Sequence, residues 1–363
     1  MSWRCGIIGL PNAGKSTIFN ALTGAHAEVA VYPFSTISPN SGVVPVPDSR
    51  LAALGELLKP QKLTPATIEF VDVAGLIAGA SRGEGLGNQF LGHIREVDLL
   101  VHVVRCFDAA GCPHPLGSLN PVRDVEVVDT ELLLADLEIL GRQRLKLEKR
   151  AKSGDKVAAA GLAVVTRVEA ALNEGNWARG LNLSPGDVEH LKATPLLSLK
   201  PYLLVANLSE AEFQGGPHYL ALKDLAASRR VPLVPILGDL EVELQDFSPE
   251  ERQEFLAGLG LTEPGINRLI QESYRLLGLV TFYTIVGTEV RAWNVPAGTP
   301  APRAAGKVHS DMEKGFIRAE VMNFADLATL GGAAKVKEAG RLHVEGRDYL
   351  IQDGEIVLFR FQR

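Results

Sequence analysis

Cysteine is scarce in this 363-residue chain: three in all, Cys5, Cys106 and Cys112. None belongs to a C-x-x-C pair, and three cannot pair off completely. That excludes a disulfide framework and points to a reducing compartment. Cys106, Cys112 and His114 lie close together, but structural zinc needs a second ligand pair and the sequence offers none. No uncharged apolar run reaches bilayer-spanning length, and no apolar leader with a cleavage site precedes the first strand. A cytoplasmic protein with no membrane association is the expectation. Excess basic charge is missing too: 37 Lys and Arg face 43 Asp and Glu, a net charge of −6. This favours solubility and argues against whole-surface binding of nucleic acid. Internal repeats and low-complexity segments are also absent. What is present is apolar material, 46% of residues, with 22% charged. That is enough for real cores, and the length calls for two or three domains.

Gly9-Leu10-Pro11-Asn12-Ala13-Gly14-Lys15-Ser16 fits G-x-x-x-x-G-K-[ST]. A short apolar strand, Arg4–Ile8, precedes it, and a helical run from Ser16 follows. In a strand–loop–helix, the N–H groups of the loop and first helical turn converge on one spot, which binds phosphate without side-chain help. The motif assigns Lys15 to the β/γ-phosphates and the Ser16 hydroxyl to Mg²⁺, with Ala13, Gly14 and Thr17 in the same cradle. A chance match on a glycine-rich turn is the alternative, and the flanking pattern argues against it.

The organisation is α/β with interruptions. Residues 1–122 alternate strands and helices; Thr67–Asp72 and Asp98–Val104 read as strands, the second nearly continuous in apolar residues as parallel sheets require. The pattern resumes at 196–277 with Tyr202–Ala206 and Val231–Ile236, the prolines placing the latter nearer an edge. Between them, 123–195 reads as an inserted helical hairpin, coiled-coil-like. Leu133, Leu137, Leu140 and Leu147 form one stripe, Val165, Val168 and Leu172 another, and Lys152–Asp155 the turn. Ser184 caps a third helix that starts at Pro185. Residues 278–363 read as a separate α+β domain.

The phosphate loop implies further parts. Asp72-Val73-Ala74-Gly75 follows the second apolar strand in the D-x-x-G arrangement of nucleotide switches. Asp72 would hold Mg²⁺ through water, and the Gly75 N–H would sense the γ-phosphate; a strand-end turn is the alternative. Thr36, within Tyr32–Ile37, stands where a switch threonine completes the Mg²⁺ shell, or caps a turn. After Gly75, where Ras-like enzymes carry a water-orienting Gln, stands Leu76. The base-reading segment is Asn207-Leu208-Ser209-Glu210. Against N-K-x-D, Leu208 replaces Lys and Glu210 is one methylene longer than Asp, which puts guanine specificity in doubt. Asn207 has an amide suited to adenine N6 and N7.

These residues, with Gly9 to Thr17, Tyr32 to Asn40, Gly83 to Leu91, Arg105-Cys106-Phe107, Ala305 to Asp311 and Glu313 to Ala319, resemble the YchF/Ola family, the Obg-like ATPases, along nearly the whole chain. The resemblance implies a P-loop NTPase domain with a mostly parallel sheet, an inserted helical domain and a C-terminal ubiquitin-like TGS domain. It implies hydrolysis of ATP at least as well as GTP, with Mg²⁺, and association with ribosomes, translation and stress responses. It makes His114 the candidate substitute for the missing Gln; a solvated loop histidine between Pro113 and Pro115 is the alternative. Asn12 matches a residue that contacts K⁺ in related potassium-activated enzymes, where K⁺ replaces an arginine finger. In the last base-contact loop, a small polar residue followed by Ala gives way to Leu237-Gly238, leaving backbone N–H groups.

Two surfaces could meet a partner. From Arg142 to Lys156 seven Lys and Arg face only Glu148 and Asp155, a solvated helix face or a ribosome or RNA contact. In the C-terminal domain Arg291, Trp293, Arg303, Lys307, Lys314, Phe316 and Arg318 mix aromatic and basic residues; RNA binding and core packing both account for the aromatics. Two functions remain at this point: a hydrolysing switch, and a binding module whose nucleotide is only a ligand.

Overall fold

The computed structural model describes residues 2–24, 41–73, 86–109 and 111–362. Thr36, Gly75 and Leu76 lie outside them. Among the described residues the strands are β1 (Arg4–Ile8), β2 (Ser41–Pro45), β3 (Lys62–Thr64), β4 (Thr67–Asp72), β5 (Leu99–Arg105), β6 (Tyr202–Asn207), β7 (Leu233–Ile236), β8 (Leu279–Val286), β9 (Glu289–Pro296), β10 (Phe316–Asn323), β11 (His343–Glu345) and β12 (Glu355–Phe361). Residues 3–42 with 69–269 form one compact unit; 43–68 with 270–363 form another.

In the first unit the strands run in the order β4-β1-β5-β6-β7. β1 pairs in parallel with β4 and β5, and β5–β6 and β6–β7 are also parallel. Every residue of β5 and β6 is buried, as sequence runs without polar alternation require. β7, with Pro235, takes the edge. The order reverses at β1, so the loop after β1 opens at the switch point where open α/β sheets bind ligands.

The hairpin is two helices, Pro121–Lys152 and Lys156–Asn173. Asn120 caps the first by accepting from the Arg123 N–H, with Pro121 at the first helical position; Asp155 caps the second through Ala158. Leu133, Leu140 and Leu147 meet Val165, Val168 and Leu172 in one core, with Leu137 partly buried against it. Asp136, fully buried, accepts from the N–H groups of Leu197 and Ser198 at 2.9 and 2.8 Å and from the Ser198 hydroxyl at 2.6 Å. This fixes the returning chain against the long helix. Ser184 and Asp187 form a capping box at the start of the third helix.

In the second unit the sheet order is β11-β10-β12-β8-β9-β3. A β8–β9 hairpin, the helix Ala301–Val308 and a β12 parallel to β8 give the ubiquitin-like arrangement. Residues 43–68, which fall inside the 1–122 stretch of the sequence, are built into this unit. β3 adds in parallel to the β9 edge, the Thr64 hydroxyl donates to Glu289 at 2.7 Å, and Leu51, Leu54 and Ala66 share a core with Tyr283, Val290 and Ile356. Phe316 is a core residue, and Trp293 packs on that core while its Nε1 donates to Thr284 Oγ1 at 2.9 Å. Packing therefore accounts for both aromatics.

Candidate functional site: a phosphate loop and its neighbours

The loop after β1 is shaped by three left-handed or glycine-only conformations: Gly9 at φ 147°, Asn12 at 63° and Gly14 at 91°. At Gly14 space is as decisive as torsion, because a Cβ there would stand 2.1 Å from Asn207 Nδ2. Lys15 begins the helix Lys15–Gly24 and is 8% exposed. Its Nζ donates to the Leu10 carbonyl at 2.8 Å, which folds the side chain over the loop. Burial pulls its pKa down, and the nearby Asp72 carboxylate pushes it back up. Ala13 is buried, its N–H donating to Leu10 O at 3.3 Å; Ser16 is exposed and Thr17 half-buried.

Asp72 ends β4. Its Oδ2 accepts from the Ser16 hydroxyl at 3.0 Å, while its Oδ1 is buried with no partner among the described residues. A buried carboxylate oxygen without a donor is costly, and a hydrated divalent cation on Ser16 would satisfy it. The donor set, hydroxyl and carboxylate, suits Mg²⁺.

Asn207, 4% exposed at the end of β6, spans the base end of the site. Its Nδ2 donates to Ala13 O at 3.1 Å, and its Oδ1 accepts from the Gly238 N–H at 3.3 Å. The amide thus clasps the phosphate loop to the 237–238 loop, a structural task distinct from pairing with a base. It also explains Gly238, where a Cβ would lie 2.7 Å from Asn207 Oδ1. Leu208 and Leu237 are 3% and 6% exposed and sit in the core, so what they offer a ligand is backbone. Glu210 is exposed at the start of the helix Glu210–Phe213.

His114 is not solvated. Its side chain is 6% exposed; Nε2 contacts Asp124 Oδ2 at 2.8 Å, and Nδ1 accepts from the Leu116 N–H at 3.2 Å. With Nδ1 accepting, the proton sits on Nε2 and is donated to Asp124. Both nitrogens are therefore engaged. The loop carrying His114 is tied to the phosphate loop by Asn12 Nδ2, which donates to Pro113 O at 3.1 Å. Arg105 holds the same loop through Phe107 O at 2.7 Å and Cys112 O at 2.9 Å. Leu10–Ala13, His102–Arg105, His114 and Asp124 enclose a cavity of about 10 Å³, room for a single water.

A family profile described as a 50S ribosome-binding GTPase matches residues 4–153, and a YchF-type C-terminal profile, described as a protein of unknown function, matches 279–362. The chain is 48% identical over 361 residues to the ribosome-binding ATPase YchF of Escherichia coli O157:H7, covering 99% of each. The Bacillus subtilis protein of that name is 44% identical over 364 residues. The chain belongs to the YchF family. A solved YchF GTPase of Schizosaccharomyces pombe, 34% identical, superposes with a TM-score of 0.90 over 99% of this chain and 98% of that one. The phosphate loop and Asp72 of this YchF-family chain are local motifs that sequence exposes. Asp124 and His102 are not. The only local signal for Asp124 is its place in the first turn after an Asn-Pro helix start.

His102, on β5, lies 3.5 Å from where a Cβ of Gly9 would stand. Its Nδ1 donates to the Tyr202 hydroxyl oxygen at 2.6 Å; that hydroxyl donates to Asp129 at 3.1 Å, and Asp129 accepts from Arg229 at 2.6 Å. A buried polar chain thus runs from behind the phosphate loop to the root of the hairpin. Burial, and then the positive charges of Lys15 and Arg229, push the His102 pKa down to about 3.

Proposed function

We propose that this chain is a Mg²⁺-dependent hydrolase of nucleoside triphosphates, taking ATP at least as readily as GTP, and that it works in the cytoplasm as a ribosome-associated switch in translation and stress responses. The observation that carries the proposal is the Ser16–Asp72 pair, with one carboxylate oxygen left over, at the mouth of a loop that presents backbone N–H groups and Lys15. Bound Mg²⁺ would neutralise charge on the β- and γ-phosphates. Ser16 and Asp72 would hold it, with Thr36 completing the shell. Lys15 and the N–H groups of Ala13 to Thr17 stabilise the transferring group. Asn12 is the candidate K⁺ ligand, its Oδ1 being the atom that would face the ion. At the base end, Leu208, Leu237 and Gly238 offer backbone, and Glu210 an exposed carboxylate.

Leu76 cannot orient water, so His114 takes that role. As placed, its ring has no free nitrogen, and turnover requires it to leave Asp124. That arrangement favours a second reading, a nucleotide-regulated ribosome- or RNA-binding module with little intrinsic hydrolysis. Ribosome binding draws on the relatives, which are named ribosome-binding ATPases, and on the hairpin tip. There Lys146, Lys149, Lys152 and Lys156 are exposed, beside exposed Leu145 and Val157. Arg142, Arg144 and Arg150 are held in ion pairs with Glu138, Glu148 and Asp155.

Single-turnover release of phosphate from ATP and GTP, with and without Mg²⁺ and K⁺, tests the proposal. Release from both, dependent on Mg²⁺ and raised by K⁺, is expected. No release from either under any condition would sink the enzyme and leave the binding module. A tenfold preference for GTP would make it a GTPase.

A further inference from the structure

At the root of the hairpin, away from the phosphate loop, lies a second concave site. It is a cavity of about 820 Å³ whose walls include Asp129, Leu133, Trp177, Arg179, Leu181 and Arg229, a size typical of small-molecule pockets. The guanidinium of Arg179 lies 3.9 Å from the Trp177 ring and 4.5 Å from that of Tyr202. Its Nη1 is buried with no hydrogen-bond partner among the described residues. The nearest acid is already taken, since Asp129 accepts from Arg229 and from the Tyr202 hydroxyl. Arg179 and Arg229 are close enough for each charge to bear on the other. Glu126, at the rim, is 57% exposed and only 3.9 Å from Arg229. Both carboxylates, Asp129 and the rim Glu126, are thus engaged by Arg229, and the N–H edge left without a partner is on Arg179.

Stacking on aromatic rings satisfies the face of a guanidinium but not its N–H edge. An edge left dry is what a planar fork of donors presents to an oxyanion. A dianionic group suits two neighbouring arginines better than a singly charged one. Trp177, Leu133 and Leu181 supply a flat apolar wall beside it. We propose that this cavity is a ligand site for a phosphomonoester with an aromatic or flat body, its phosphate on Arg179 and its body against Trp177.

The test uses the full-length protein with Trp3→Phe and Trp293→Phe, so that Trp177 is the sole tryptophan. Mg²⁺ and ADP are kept saturating to close the phosphate loop. Phenyl phosphate is titrated at constant ionic strength while Trp177 fluorescence is followed. A saturable change is expected, displaced by inorganic phosphate and not produced by phenol. Arg179→Gln should weaken it at least tenfold, and Arg179→Lys, which keeps the charge and the stem, should weaken it less. Lys15→Ala, which disables the nucleotide loop, should leave it unchanged. A response that Arg179→Gln retains, that phenol reproduces, that Lys15→Ala abolishes, or that tracks ionic strength without saturating would overturn the site. Should Arg179→Gln misfold, displacement by inorganic phosphate and the phenol control still decide on the parent protein.

Discussion

Single side chains in this site serve two segments at once, and their neighbours are constrained accordingly. Gly238→Ala would place a methyl group 2.7 Å from Asn207 Oδ1, pushing the amide off Ala13. Affinity for a fluorescent ATP analogue should fall about five- to tenfold, the worth of roughly one hydrogen bond. Asn207→Ala should cost a similar amount, and the double variant less than the product of the two. His102 sets a pH limit. It is neutral in the folded protein down to about pH 3, while in the unfolded chain it protonates near 6.5. Its contribution to stability is therefore complete above about pH 6.5 and lost as pH falls toward 3, by up to about 1.4 kcal/mol per pH unit. Urea midpoints measured from pH 7 to 4 should decline less steeply in His102→Gln than in the parent. The phosphate loop and Asp72 were legible because each motif is contiguous. The Asn207 clasp was not, since it joins positions 194 apart, and its residue type alone suggests base pairing as readily.

At the level of elements, local periodicity carried the hairpin: both apolar stripes, the turn and the Ser184 cap are short-range features, and they appear where the sequence puts them. The segment 43–68 shows the reverse. Nothing local announces that Lys62–Thr64 will pair with a strand more than two hundred residues later. Leu54, fully buried in the second unit, tests that assignment. Leu54→Ala should cost about 2–5 kcal/mol and lower the urea midpoint reported by Trp293, which stands on β9 in that unit. If Trp293 unfolds at the parent midpoint, the segment does not support the C-terminal sheet.

For the whole molecule, a net charge of −6 coexists with a hairpin tip of exposed lysines. Reversing Lys149, Arg150 and Lys152 to Glu should abolish co-sedimentation with ribosomes at low salt and leave nucleotide affinity intact; unchanged pelleting would falsify the tip as the contact. The helix bearing that tip is 32 residues long, roughly 48 Å from end to end. Its other end carries Asp124, 2.8 Å from His114. A beam held near one end reduces a sideways swing of the tip to a small rotation at the root. A pull along its axis arrives undiminished. A partner loading the tip lengthwise would thus work the His114 contact directly, and one that merely sways it would hardly be felt there.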